Sequence, residues 1–193
     1  MDFSRTTQKT FRAAVYFRIV VLLALAAAFA WPAGLRGETA LEREYEIKAA
    51  YLYNFIRYID WPADNFPSAG GHITLGIVGD NPFGPAIAPL NGKQIKGDTL
   101  EVKQIMNAKD MDQCQIIFIC ASEKSRLPEI LGALKGSKTL TVSEINGFAS
   151  QGGIINFISE RNKVRFEINP DAARQTGLNV SSELLKLARL VHS

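Results

Sequence analysis

The chain has 193 residues, with 22 Lys and Arg, 19 Asp and Glu and a formal net charge of +3. Residues 1–30 hold four of the basic residues and one acidic residue, which leaves 18 of each charge in residues 31–193. The pI near 8.9 therefore comes mostly from the N-terminus. Without a basic stripe in the remainder, we predict that the protein does not bind nucleic acid.

The N-terminus has the three parts of a secretory signal peptide. Four basic residues accompany an apolar run over residues 19–31, and Ala28 and Ala30 form an A-x-A cleavage pattern. These 13 apolar residues are fewer than the roughly 20 that a helix needs to span a bilayer. We predict a signal peptide over residues 1–30, with cleavage after Ala30 or, nearly as well, after Ala28 or Gly37. The alternative is an uncleaved anchor that begins near residue 13, with Arg18 snorkelling.

The remaining residues, 38–193, are expected to form one α/β domain, because predicted helices and strands alternate along them. Apolar residues at helical spacing predict a helix over 44–59, which Pro62 ends. Short apolar runs bounded by Gly, Asn and Pro predict strands. In chain order we expect strands over 73–78, 99–105, 114–120 and 139–142, followed by a hairpin over 153–168. We expect four further helices. The first follows Pro82 and is capped by Asp80 or Asn81, the second runs from Ser122 or Ser125 to Leu134, and the last two cover 170–176 and 183–191. The predicted fold is a three-layer sandwich with a mixed, mainly parallel sheet and a C-terminal hairpin plus two helices.

Cys114 and Cys120 are the two cysteines, and both lie in the predicted central strand. A strand would hold them about 20 Å apart, whereas a disulfide needs Cα atoms within about 7 Å. They are therefore not expected to pair with each other. The favoured interpretation is two buried thiols, and the alternative is an intermolecular bond through Cys114.

The residues that catalysis or metal binding would need are mostly missing. His72 and His192 are the two histidines, and neither belongs to a zinc-binding or metalloprotease motif. The Gly-rich turn at 79–84 lacks the Lys-Ser or Lys-Thr of a phosphate-binding loop. We predict that the protein is not an enzyme and has no cofactor, no metal and no catalytic residue.

A polar strand face gives the candidate binding site. In the strand over 164–168, Arg165 and Glu167 share one face, and Asn156 and Arg57 are candidates to lie near them. This face is either the solvated face of an edge strand or a recognition surface for a partner or small ligand. The helix over 44–59 is apolar around most of its circumference, so it is either deeply buried or covers a second surface such as a dimer interface.

Several short motifs follow one another along the chain: KAAYLYNF at 48–55 leading to WP at 61–62, GDNPFG at 79–84, GF at 147–148 with GGIINF at 152–157, VRFEIN at 164–169, and GL at 177–178 with SELLKLA at 182–188. In this order they resemble the YfiR family over essentially the whole mature chain.

The resemblance implies a periplasmic regulator that binds the periplasmic part of a membrane-bound diguanylate cyclase or other sensor protein and represses cyclic-di-GMP signalling. It also implies that an outer-membrane lipoprotein sequesters the regulator, that the protein forms a homodimer, and that some relatives are redox-sensitive through disulfides. Position 76, where a cysteine partner of Cys114 would be sought, is Gly76 here. The alternative function is a periplasmic small-ligand binding or sensor protein that serves a neighbouring membrane kinase or transporter.

Overall fold

The computed structural model describes residues 39–62 and 71–192. The predicted signal peptide lies outside these residues. Helix α1 (Ala40–Tyr58) begins with a capping box: the Glu42 amide donates to Thr39 Oγ1 at 3.1 Å, and the Thr39 amide donates to the Glu42 carboxylate at 2.7 Å. The two exchanged hydrogen bonds satisfy amides that a helix start leaves unpaired, so α1 begins four residues earlier than its apolar pattern predicts.

Within the described residues, ten strands follow α1. They are β1 (Ile59–Asp60), β2 (His72–Val78), β3 (Gln94–Ile95), β4 (Asp98–Ile105), β5 (Ile116–Ile119), β6 (Leu140–Ser143), β7 (Ile155–Glu160), β8 (Lys163–Ile168), β9 (Asn179–Val180) and β10 (Arg189–Leu190). Eight form one sheet in the order β10-β8-β7-β6-β5-β2-β4-β3, while β1 and β9 pair separately. Strands β7, β6, β5, β2 and β4 are parallel, whereas β8 and β3 pair antiparallel to β7 and β4. The prediction of a mixed, mainly parallel sheet is confirmed.

Three further α-helices are short: α2 (Leu127–Ala133), α3 (Pro170–Gln175) and α4 (Ser182–Leu185). Helices of the 3-10 type cover Gly84–Leu90, Ala108–Asp110, Ala121–Arg126 and Ala149–Gln151. Helix α1 and the first 3-10 helix cover one face of the sheet, which we call the α1 face; α2 covers the other, the α2 face. A sheet covered on both sides explains why β5 is apolar throughout.

Aromatic rings fill the core on the α1 face. The Phe55 ring lies 5.1 Å from Phe166 and 5.7 Å from Phe157, and Phe83 lies 4.8 Å from Phe118, each measured between ring centroids. Because side chains alternate along a strand, the neighbours of Phe157 and Phe166 point to the α2 face. This alternation places the polar residues of β7 and β8 on the side away from α1.

The predicted hairpin is confirmed, and two residues form its turn. Arg161 and Asn162 have φ of 50° and 60°, as a two-residue turn of type I′ requires. The turn sets the register in which Asn156 pairs with Glu167 and Phe157 pairs with Phe166.

Three predicted helices differ from the structure. The segment after Pro82 is a 3-10 helix that neither Asp80 nor Asn81 caps; the Asn81 side chain instead accepts a hydrogen bond from the Phe83 amide at 2.9 Å. The segment that starts at Ala121 is also 3-10 at first, and neither Ser122 nor Ser125 caps α2. These helix starts were wrong because packing against the sheet outweighs weak local capping preferences.

The last predicted helix, over 183–191, is the largest error. Helix α4 ends at Leu185, and Arg189–Leu190 form β10, which pairs parallel with β8. The apolar spacing of this segment is helical, but backbone pairing with the open edge of β8 decides its conformation. The Val191 amide continues this pairing by donating to the Ile168 carbonyl at 2.9 Å.

Helix α1 buries some of its apolar side chains and leaves others exposed. Ile56 is fully buried, whereas Tyr58 is 43% exposed. Leu41 and Ile47 are also exposed, at 61% and 41%. The buried residues of α1 are Lys48, Ala49, Leu52, Phe55 and Ile56, and the exposed apolar residues lie mainly towards its N-terminal half.

Candidate functional site

Two of the predicted site residues, Asn156 and Glu167, lie in one polar row across the α2 face. Ser143, Asn156, Glu167 and Arg189 are register partners on the neighbouring strands β6, β7, β8 and β10. We call these four residues the polar row. The backbone pairing of four strands therefore aligns side chains that lie up to 46 positions apart in the chain.

Hydrogen bonds connect the row from Asn156 to Arg189. The Asn156 amide nitrogen donates to Glu167 Oε2 at 3.2 Å, and Arg189 Nε donates to Glu167 Oε1 at 2.8 Å. The Glu167 side chain is 8% exposed and that of Arg189 is 66% exposed. The guanidinium thus compensates a buried carboxylate from the solvent side, and the carboxylate raises the pKa of Arg189 through this hydrogen bond.

Asn156 has a further property that bears on binding. It is fully buried, and its side-chain oxygen has no hydrogen-bond partner among the described residues. A buried hydrogen-bond acceptor without a donor costs folding free energy, and few such groups occur in native proteins. At the end of the row, Ser143 Oγ is satisfied because it donates to the Ile119 carbonyl at 2.7 Å.

The other two predicted residues lie apart from the row. Arg165 is exposed on β8, on the same face as Glu167 and nearer the hairpin turn. Arg57 is on α1, across the sheet, with its guanidinium 6.0 Å from the Tyr53 ring. The expected grouping of Arg57 with Asn156 is therefore wrong, because α1 packs on the opposite face.

Arg189 and Ser143 were missed by sequence reasoning. Nothing local marks Arg189, since its segment has helical spacing and only the pairing of β10 brings it to Glu167. Beside Arg189, Leu187 and Leu190 are 68% and 47% exposed. Strand β10 pairs on one side only, so it forms an edge of the sheet. We call Arg165, Leu187, Arg189 and Leu190 the C-terminal edge.

A buried ionic cluster joins α1 to the end of β6, close to the row. Lys48 is 5% exposed, and its Nζ lies 2.6 Å from carboxylate oxygens of both Glu44 and Glu144. The Tyr45 hydroxyl donates to Glu144 at 3.1 Å, and burial followed by this carboxylate raises the Tyr45 pKa well above its ordinary value. Glu144 and Arg189 both line a cleft of about 380 Å³ at the carboxyl end of β6.

A second cleft, of about 520 Å³, lies on the α2 face where β2 and β4 end. Its lining includes Asp80, Gln104, Glu123 and Arg126. The chain leaves β2 for a helix on the α1 face, whereas it leaves the neighbouring strand β5 for a helix on the α2 face. The two connections therefore run to opposite faces of the sheet at this point. Ligands of open α/β sheets bind at such positions.

Both cysteines are buried, free thiols, each 1% exposed. Burial raises the pKa of Cys114 to about 11 and that of Cys120 to about 12. The burial of Cys114 disfavours an intermolecular bond through this residue. Within residues 39–62 and 71–192, no group of three or more His, Cys, Asp or Glu side chains is arranged to hold a metal ion.

The model of the YfiR/HmsC-like family matches residues 45–189, most of the chain. The chain belongs to the YfiR/HmsC-like family. Family members are periplasmic, non-catalytic regulators of diguanylate cyclase signalling in general. In the described part of this YfiR/HmsC-like chain, no helix has the length and apolar character needed to cross a membrane.

Two solved structures show the same fold. One is an ABC domain from Streptococcus pneumonia in complex with L-Trp, with 12% identity and a TM-score of 0.51 over 74% of this chain and 60% of that one. The other is a conserved domain protein from Vibrio cholerae O1 biovar El Tor, with 12% identity and a TM-score of 0.51 over 77% of this chain and 60% of that one. The YfiR/HmsC-like chain thus spans about 60% of the length of these structures.

Proposed function

We propose that this protein is a periplasmic, non-catalytic regulator that binds the periplasmic part of a membrane-bound diguanylate cyclase and represses cyclic-di-GMP synthesis. Family membership supports the general role. The C-terminal edge supports the mode of binding, because it combines exposed Leu187 and Leu190 with the side chains of Arg165 and Arg189. Exposed apolar residues on an edge strand are typical of a surface that a partner covers.

The polar row gives this edge a defined shape. Glu167 holds Arg189 through charge-assisted hydrogen bonds, which fixes the strand that carries Leu190. A preformed surface loses less conformational freedom on binding than a mobile segment. In this proposal Asn156 and Glu167 position the edge from inside, and Arg165, Leu187 and Leu190 contact the cyclase.

The experiment is a deletion of the gene in the native host, followed by complementation. Deletion is expected to raise cellular cyclic-di-GMP and biofilm formation severalfold, and the wild-type gene to restore both. Leu190→Lys is expected to fail in complementation while it remains folded. Met106→Lys is the matched control, because Met106 is an 83% exposed apolar residue on another surface. An unchanged cyclic-di-GMP level after deletion, or full repression by Leu190→Lys, would contradict the proposal.

The proposal extends to two further partners. An outer-membrane lipoprotein that sequesters the regulator would release the cyclase, and a homodimer would present two C-terminal edges. Crosslinking in the periplasm, with and without the Leu190→Lys change, tests for the lipoprotein. Sedimentation of the purified protein over a concentration range tests for the dimer.

A second candidate function is a small-ligand sensor that serves a neighbouring membrane kinase or transporter. The cleft at the ends of β2 and β4 favours it, because clefts of about 300–1,000 Å³ at this position of α/β sheets bind small molecules. The structural neighbour from Streptococcus pneumonia holds L-Trp, which is consistent with ligand binding on this fold. A thermal-shift screen with small metabolites tests this function; the absence of any stabilising compound would count against it.

A further inference from the structure

A third cavity lies at the opposite end of the sheet, where β6 and β7 begin. It is a groove of about 620 Å³ on the α2 face, between α2 and α3. The buried residues of its floor are Leu134, Thr139, Thr141, Ile154 and Ala172. Its volume is within the range of small-molecule sites, and no residue of the polar row or of the C-terminal edge lines it.

Gly132 keeps one wall of the groove open. It lies inside α2, it lacks a positive φ, and a Cβ built on it would meet nothing within 4 Å. A glycine inside a helix costs up to about 1 kcal/mol relative to alanine. Gly136 and Gly152 also line the groove, but φ values of 84° and 98° account for them. At Gly132 the backbone has no such requirement, and the consequence of glycine there is an unobstructed groove.

Thr141 offers a hydrogen-bond donor from the floor. It is 5% exposed, and its Oγ1 accepts from the Ile154 amide at 3.1 Å. The hydroxyl proton has no acceptor of its own among the described residues. The neighbouring hydroxyl of Thr139 is already used, since it donates to the Cys114 carbonyl at 2.8 Å. The free donor at Thr141 favours a ligand with acceptor oxygens.

The charge around the groove has one sign. Among the described residues that line the groove, Lys135 carries a charge and no residue carries a carboxylate side chain. Lys135 is exposed and has no ion-pair partner in the described part of the chain. The groove therefore combines an apolar floor, a buried donor and a cation at the rim.

We propose that this groove binds a small amphiphilic carboxylate. Its apolar body lies on Leu134, Ile154 and Ala172, and its carboxylate pairs with Lys135, while Thr141 donates to a ligand oxygen. This inference goes beyond both candidate functions, because it concerns a different site from the C-terminal edge and from the cleft at β2 and β4.

The test is isothermal titration of the protein, purified from the periplasm, with sodium octanoate and with octanol as its uncharged analogue. Octanoate is expected to bind saturably, and octanol about tenfold more weakly. Lys135→Ala should weaken octanoate binding by about the same factor, because it removes the cation that pairs with the carboxylate. Gly132→Leu should fill the groove and weaken octanoate binding at least about tenfold.

Gly132→Ala is the matched control. It should keep octanoate binding within about twofold and raise the melting temperature, because alanine favours the helix. No saturable octanoate binding, undiminished binding by Gly132→Leu, or equal binding of octanol and octanoate would each overturn the inference.

Discussion

The first prediction concerns the ion pair between exposed Arg189 on β10 and buried Glu167 on β8, which we expect to stabilise the pairing of β10 with β8. Arg189→Ala removes the guanidinium and leaves the Glu167 side chain, 8% exposed, with the Asn156 amide at 3.2 Å. A hydrogen bond to a charged group contributes about 1.5–3 kcal/mol, whereas an exposed ion pair contributes about 0–1 kcal/mol. Because Arg189 is 66% exposed and Glu167 is buried, we expect a loss of about 1.5–2 kcal/mol.

This loss should lower the melting temperature by about 3–8 °C for a domain of this size. The same change is measured as a loss in the free energy of unfolding in urea. Adding Glu167→Gln to Arg189→Ala should recover about 1 kcal/mol, since it removes the uncompensated buried charge. Arg174→Ala is the control, because Arg174 is 71% exposed in its ion pair with Asp171 and should cost under about 0.5 kcal/mol. Equal losses for Arg189→Ala and Arg174→Ala, with no recovery in the double variant, would refute the reasoning.

Three further predictions concern the interior. Lys48→Met should lower the free energy of unfolding in urea by about 3 kcal/mol, because the Glu144 carboxylate loses its buried cation. Adding Glu144→Gln to Lys48→Met should restore most of the lost free energy. An unchanged unfolding curve for Lys48→Met would contradict this prediction. Gly76→Cys should form a disulfide with Cys114 on oxidation, because a Cβ at position 76 would lie 2.9 Å from Cys114 Sγ. Closing a loop of roughly 40 residues stabilises by at most about 4 kcal/mol. Only the Cys120 thiol should then remain titratable, and three titratable thiols after oxidation would exclude the bond. At pH 8 the native Cys114 and Cys120 should react with iodoacetamide at least roughly a hundredfold more slowly than in urea, since burial raises each pKa; equal labelling rates would show that the thiols are accessible.

Local chemistry in the sequence determined much of the fold. The apolar runs of β2 and β5, the hairpin of β7 and β8 and the short helix α3 each depend on neighbouring residues, and each was predicted to within a few positions. The alternation along β8 correctly placed Arg165 and Glu167 on one face. The family motifs in chain order also indicated the YfiR/HmsC-like family from sequence alone.

The tertiary structure alone decided which polar residues meet. Arg57 lies across the sheet from Asn156 because α1 packs on the other face, and no local pattern encodes that choice. Arg189 reaches Glu167 because residues with helical spacing form an edge strand, where pairing with β8 outweighs helix propensity. The groove beside Gly132 likewise exists only once α2 and α3 are packed, since its floor comes from separate segments of the chain. Sequence periodicity identifies the face of each element, whereas long-range pairing determines which faces come together.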